Sequence, residues 1–183
     1  MRVITGVAKG HKLKAPKGLK TRPTTDRIKE TIFNIIQDIE NDDYILDLFS
    51  GSGGVGIEFL SRGAKKCIFI DADLNSIRTI KDNLKNTKLT HKSEVYKNTY
   101  DKAIKILSKK DIKFDYIFID PPYNKGLSVK AVSYVLEYGI LKEDGTILVE
   151  HEKNMEFSNL KDSYKIETRN YGDTSISFLK QRR

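Results

Sequence analysis

The 183-residue sequence has no tryptophan, one cysteine, two methionines, three histidines and four prolines. One cysteine excludes an internal disulfide framework, and Cys67, inside the apolar run Cys67-Ile68-Phe69-Ile70, reads as a buried structural thiol. His11, His91 and His151 are scattered, and no His, Cys or acid spacing has the form of a ligand set, so no metal is expected. No apolar run approaches the ~20 residues of a membrane span. The opening MRVITGVAKG also lacks the apolar stretch of a secretory signal, so a cytoplasmic location away from membranes is expected.

Hydrophobic residues make up 38% of the chain and charged residues 32%, which fits a folded globular protein. The length suits one hydrophobic core with a short appendage, and a monomer is the expected state. The net charge of +8 is unevenly placed. Residues 1–30 hold nine Lys or Arg against two acids, a net of +7, leaving the remainder nearly neutral. Positive charge gathered near one end is the footprint expected for contact with phosphate backbones, and a solvated, solubilising tail has the same composition.

The first 22 residues mix basic and small or apolar residues with breaks at Gly6, Gly10, Pro16 and Gly18, a pattern for a short hairpin and a loop. After Pro23-Thr24-Thr25-Asp26, the isoleucines at 28, 32, 35, 36 and 39 recur at helical spacing and predict a helix joining this arm to the core. From residue 44 the pattern predicts strand 44–49, helix 54–62, strand 66–70, helix 75–86, strand 93–97, helix 100–109, strand 115–119, helix 127–138 and strand 145–150. That alternation specifies a doubly wound, parallel α/β sheet. Runs at 163–169 and 174–180, joined through Tyr171-Gly172-Asp173 with no helix between, predict an antiparallel hairpin. A mostly parallel seven-stranded sheet finished by such a hairpin is the Rossmann-like layout of class I methyltransferases. The division expected is a basic arm over 1–26 and the sheet domain over 27–183.

Two constellations carry chemistry. The first is Asp47-Leu48-Phe49-Ser50-Gly51-Ser52-Gly53-Gly54-Val55-Gly56, between a strand and a helix. Its glycines permit close approach of a ligand to backbone and to a helix N-terminus. Asp71, at the end of the next strand, is placed to hold a ribose diol, which both NAD and S-adenosylmethionine present. The glycine pattern alone fits either cofactor. Asp47 at the mouth of the loop favours the amino group and sulfonium of S-adenosylmethionine and opposes a pyrophosphate. The second is Asp120-Pro121-Pro122-Tyr123, after the fourth strand and so on the same rim. Two prolines fix the turn and leave carbonyl oxygens and the Asp120 carboxylate as acceptors for an exocyclic amine, with Tyr123 as a flat face for an unstacked base. No cysteine stands in a strand-end position suited to covalent pyrimidine methylation.

These two elements resemble amino-methyltransferases that act on nucleic acid. Much of the chain further resembles the bacterial 16S rRNA guanine-N2 methyltransferase family. The matching pieces are Arg2-Val3-Ile4 with Gly6, Lys9-Gly10, Arg22-Pro23-Thr24-Thr25-Asp26-Arg27 with Lys29-Glu30, residues 47 to 56, Leu60-Ser61-Arg62-Gly63-Ala64, and Tyr171-Gly172-Asp173-Thr174. The resemblance implies S-adenosylmethionine as cofactor, held by Asp47, Phe49, Ser50, Gly51, Ser52, Gly53 and Asp71. It implies catalysis at Asp120, Pro121, Pro122 and Tyr123, and structured RNA, 16S rRNA or an assembly intermediate, as partner. Arg2, Lys9, Lys12, Arg22, Arg27 and Lys29 are the expected RNA-facing cations. Asn98 and Thr99 stand where the family pattern tends to place an acid beside the adenine amino group. A DNA adenine-N6 methyltransferase would share the catalytic turn but usually carries a target-recognition region for which this chain has no room. A non-catalytic RNA-binding protein would have no reason to retain Asp47, Asp71 and Asp120 together.

Overall fold

Strand residues alternate between two faces of the sheet, and both faces here are apolar. The computed structural model describes residues 1–16, 26–36, 38–122, 126–153 and 155–182. In chain order these form α1 (Asp26–Ile36), β1 (Tyr44–Leu48), α2 (Gly54–Ser61), β2 (Lys66–Asp71), α3 (Leu74–Asn86), β3 (Ser93–Lys97) and α4 (Tyr100–Lys109). There follow β4 (Phe114–Ile119), α5 (Leu127–Glu137), β5 (Leu141–Glu152), β6 (Tyr164–Tyr171) and β7 (Thr174–Gln181). The described strands make one seven-stranded sheet in the order β3-β2-β1-β4-β5-β7-β6. The first five pair in parallel, while β7 is antiparallel to β5 and β6 to β7. This is the mostly parallel α/β sheet with an antiparallel end that the pattern predicts.

Burial of both faces explains the near-continuous apolar runs of the central strands. Ile45, Cys67, Phe69 and Phe118 pack in one layer with Ile32 and Phe33 of α1, Phe59 of α2 and Ile80 of α3. Leu46, Leu48, Ile68, Ile70, Ile117 and Ile119 pack in the other with Ile104 and Leu107 of α4 and Val132 and Val135 of α5. From β1 the chain winds outward through β2 and β3 and then crosses to β4 on the opposite side. The carboxyl ends of β1 and β4 therefore flank the switch point, where open α/β sheets bind ligands.

Some boundaries differ from the periodicity. β5 begins at Leu141, not at 145, because Leu141 pairs with Phe114 and Lys142 Nζ is 2.8 Å from the Asp115 carboxylate. The polar start of the strand is thus held by pairing that hydrophobic spacing does not register. β2 runs through Asp71, which pairs with Lys97.

The N-terminal segment folds back on itself. Val3 N–H donates to the His11 carbonyl (3.0 Å), Gly10 N–H to the Val3 carbonyl (2.9 Å) and Leu13 N–H to the Met1 carbonyl (3.0 Å). Val3, Ala8 and Leu13 are buried in the layer that holds α1 and α2. Gly6, at φ 85°, lies so near α2 that a Cβ there would stand 1.8 Å from the Ser61 carbonyl oxygen. The expected division after residue 26 falls in the first turn of α1. Among the described residues no helix is long and apolar enough to cross a membrane.

Candidate active site

Asp47 is the next-to-last residue of β1, and its side chain is buried among the residues that pack α2 against the sheet. Its Oδ2 accepts from Gly56 N–H in the first turn of α2 at 3.1 Å. Removal from water pushes its pKa from 3.8 up to about 7, against the lowering effect of the Gly56 amide. Ser50 then ties the loop to β2: its hydroxyl donates to the Asp47 carbonyl at 2.6 Å and accepts from Ile70 N–H at 3.0 Å. Gly53 caps α2 at φ 74°, a left-handed conformation that a side chain would strain. Phe49 adopts φ 60° without being glycine, and its ring lies 5.3 Å from that of Tyr100. A phenylalanine held in that region is a strained position imposed by its surroundings.

Asp71 ends β2. One carboxylate oxygen accepts from Gly51 N–H and the other from Asp73 N–H, each at 2.8 Å. Burial raises its pKa, opposed by those two amides. The same carboxylate that would receive a ribose diol therefore also fixes the glycine loop. Asn98 is tied to this end of the sheet through its N–H to the Asp71 carbonyl at 3.0 Å, and Thr99 caps α4 beside it.

Ile119 of β4 lies opposite Leu48 of β1, so Asp120 emerges beside Phe49. Asp120 N–H points to the Leu48 carbonyl at 3.4 Å. Pro121 is buried and Pro122 exposed, while Tyr123 lies outside the described residues. Asp47, Phe49, Ser50, Gly51, Ser52, Gly53, Asp71, Asn98, Thr99 and Asp120 are thereby gathered on one rim, at the carboxyl ends of β1 to β4.

The basic residues separate into two groups. Arg2, Lys9, Lys12 and Arg27 are exposed, and Arg22 lies outside the described residues. Lys29, expected with the RNA-facing cations, is instead completely buried. Its ammonium donates to the Arg2 carbonyl and stands 3.6 Å from Glu58 and 3.8 Å from Asp26. Burial lowers its pKa, and the two acids oppose that fall. A charge with no water contact, matched by the buried Glu58 carboxylate and by Asp26, cannot serve a phosphate in this conformation.

Sequence reasoning missed Glu58 and Asn83. Glu58 accepts from Ile4 N–H (2.8 Å) and Thr5 N–H (2.9 Å) and pairs with Arg62 (3.0 Å), pinning the N-terminal segment to α2. Asn83 joins Lys14 to Ser52. In sequence each is an ordinary polar helix residue; the only signal is its place beside apolar neighbours, Ile57 and Phe59 for one and Leu84 for the other.

This arrangement suits a cationic cofactor that also carries a ribose: a buried acid, a second acid at the adjoining strand end, and a glycine loop leading into a helix. Residues 1–180 match the family described as conserved hypothetical protein 95. The chain belongs to this family. The Bacillus subtilis protein YlbH is 43% identical over 183 residues, covering 100% of both chains. Ribosomal RNA small subunit methyltransferase D of Escherichia coli is 34% identical over 152 residues, 83% of this chain and 75% of the relative. The solved Escherichia coli methyltransferase-family protein yhhF superposes with a TM-score of 0.85 at 30% identity, covering 100% of this chain and 98% of its own. The protein is thus a methyltransferase of class I fold. S-adenosylmethionine, the cofactor that the motif resemblance implies, fits both carboxylates: Asp47 would face its positive charge, which a pyrophosphate lacks, and Asp71 its ribose.

Proposed function

We propose that this methyltransferase modifies the exocyclic N2 amine of a guanine in 16S ribosomal RNA, as free RNA or in a small-subunit assembly intermediate. The observation that carries the reading is the position of Asp120, one residue beyond β4 and beside the loop that receives the cofactor. A relative named for small-subunit rRNA supports the choice of RNA, and the motif resemblance supports guanine N2.

An exocyclic amine is a poor nucleophile because its lone pair delocalises into the ring. Acceptance of its hydrogens by the Asp120 carboxylate and the Pro121 carbonyl turns that lone pair out of conjugation and toward the methyl group. S-adenosylmethionine, when bound, supplies a methyl group activated by the sulfonium. Asp47, Asp71 and the loop from Phe49 to Gly53 hold the cofactor, and Asn98 and Thr99 border its adenine end. Tyr123 offers a stacking face to the extruded base. Exposed Arg2, Lys9, Lys12 and Arg27, together with Arg22, bind the RNA backbone, which makes the N-terminal arm the docking element.

Nucleoside mass mapping of 16S rRNA from cells lacking this protein tests the reading. One N2-methylguanosine should disappear and return on complementation with the wild-type gene but not with Asp120→Ala. An unchanged guanine inventory overturns the assignment.

A further inference from the structure

Asn83 is buried at 1% exposure in the last turn of α3, on the face that also carries Ile77, Ile80 and Leu84. Asparagine is a poor helix former, and a buried carboxamide is costly unless its polar atoms are satisfied. Here they are satisfied from two directions. Oδ1 accepts from Lys14 N–H at 2.8 Å, and Nδ2 donates to the Lys14 carbonyl at 3.0 Å and to the Ser52 carbonyl at 2.9 Å. Lys14 belongs to the N-terminal segment and Ser52 to the glycine loop. We propose that Asn83 is a positioning residue that couples the N-terminal segment to the cofactor loop, so that ordering either one orders the other.

The chemistry of the contact favours this over simple packing. Lys14 presents a donor and an acceptor, and Ser52 a second acceptor, so the side chain between them must accept once and donate twice. Only a carboxamide does this at such length. An aspartate of the same shape would accept from Lys14 but face two carbonyl oxygens with no proton to give. Further contacts keep the two segments together. Asn86 Nδ2 donates to the Lys12 carbonyl at 3.1 Å, and the Met1 sulfur lies 3.8 Å from Ser52 Oγ. A Cβ on Gly54 would stand 2.7 Å from that sulfur, so the N-terminal residue packs directly on the loop.

The consequence for catalysis rests on the RNA-docking role proposed for the arm. RNA held by the arm would then tighten cofactor binding, and cofactor would tighten RNA binding by the same factor. The coupling itself is tested without RNA, using S-adenosylhomocysteine as the probe. In wild-type protein, saturation with the probe should slow amide hydrogen exchange in peptides spanning residues 11 to 16, several-fold beyond any change in strand β7. Asn83→Asp and Asn83→Ala should each weaken probe affinity by roughly five- to tenfold, as expected for a lost buried hydrogen bond, and abolish that protection. Unchanged exchange at 11 to 16 in the wild type, or an isosteric Asn83→Asp that binds the probe with wild-type affinity, overturns the coupling. The wild-type exchange measurement decides even if the variants do not fold. Failure of the docking role shows separately, as RNA binding whose salt dependence ignores Lys9 and Lys12.

Discussion

The Lys29 ammonium and the Glu58 carboxylate stand 3.6 Å apart with both side chains completely buried. Glu58 also receives the N–H groups of Ile4 and Thr5, and Lys29 the carbonyl of Arg2, so the pair fastens the N-terminal segment onto α1 and α2. Removing one member leaves the other charged without water or a counter-charge of equal quality. Glu58→Ala is expected to cost about 3–5 kcal/mol by urea unfolding, and Lys29→Met with Glu58→Gln to cost clearly less than the two singles added. Additive single effects would show that the two groups act independently.

The same contacts decide how the RNA-docking role is to be tested. Deleting the first residues would uncover the core, because Val3, Ala8 and Leu13 are part of it. Lys9 and Lys12 are exposed and can be replaced by serine without that penalty. If both meet phosphates, the slope of log affinity against log salt should fall by about 1.4–1.8 in the double variant. Lys29 is left in place in this test, since its charge is internal and its removal would strand Glu58.

Asp47 sets a pH dependence. Its pKa in the fold, about 7, lies above the ordinary 3.8, so the native state holds a proton that the unfolded chain has released across that interval. Stability contributed by this group is therefore present at low pH and lost as pH rises toward 7. In the unliganded protein Asp47→Asn should raise melting temperature at pH 8, by on the order of 2 kcal/mol in stability, and leave it little changed at pH 4. A positively charged cofactor favours the ionised carboxylate, so wild-type affinity for S-adenosylmethionine should increase from pH 6 to 8. The asparagine variant should bind more weakly and without that rise. Parallel pH profiles for the two proteins would remove Asp47 from the cofactor site.

Asp71→Ala removes the acceptor of the Gly51 and Asp73 amides as well as the proposed ribose partner. Calorimetry should report a loss of about 1–3 kcal/mol in cofactor binding, with RNA affinity measured without cofactor little affected. Unchanged cofactor affinity would place the ribose elsewhere.

Much of the sheet and its rim is legible in the chain because the relevant signals are local. Asp47 stands at a strand end before glycines, Asp71 closes the next apolar run, and Asp120 precedes two prolines, so each can be placed from its immediate neighbours. Lys29 and Asn83 are opaque for the opposite reason. On a helix their residue types read as solvent-facing, and what buries them is a partner far along the chain: Glu58 of α2 for one, Lys14 and Ser52 for the other. Charge counting groups Lys29 with the phosphate-facing cations because composition carries no information on which charges are already paired inside. The polar start of β5 leaves no hydrophobic signal because Lys142 is held by Asp115 and not by an apolar face.

The central claim is that Asp120 directs a guanine amine at the cofactor methyl. Its most direct test is single-turnover transfer of labelled methyl from S-adenosylmethionine to 16S rRNA, free and in assembly particles, with nucleoside analysis of the product. Wild-type protein should place the label in N2-methylguanosine, and Asp120→Ala should lower the rate by about a thousandfold while keeping S-adenosylhomocysteine affinity within a few fold. Label in another nucleoside, or an Asp120→Ala variant as fast as wild type, would contradict the account.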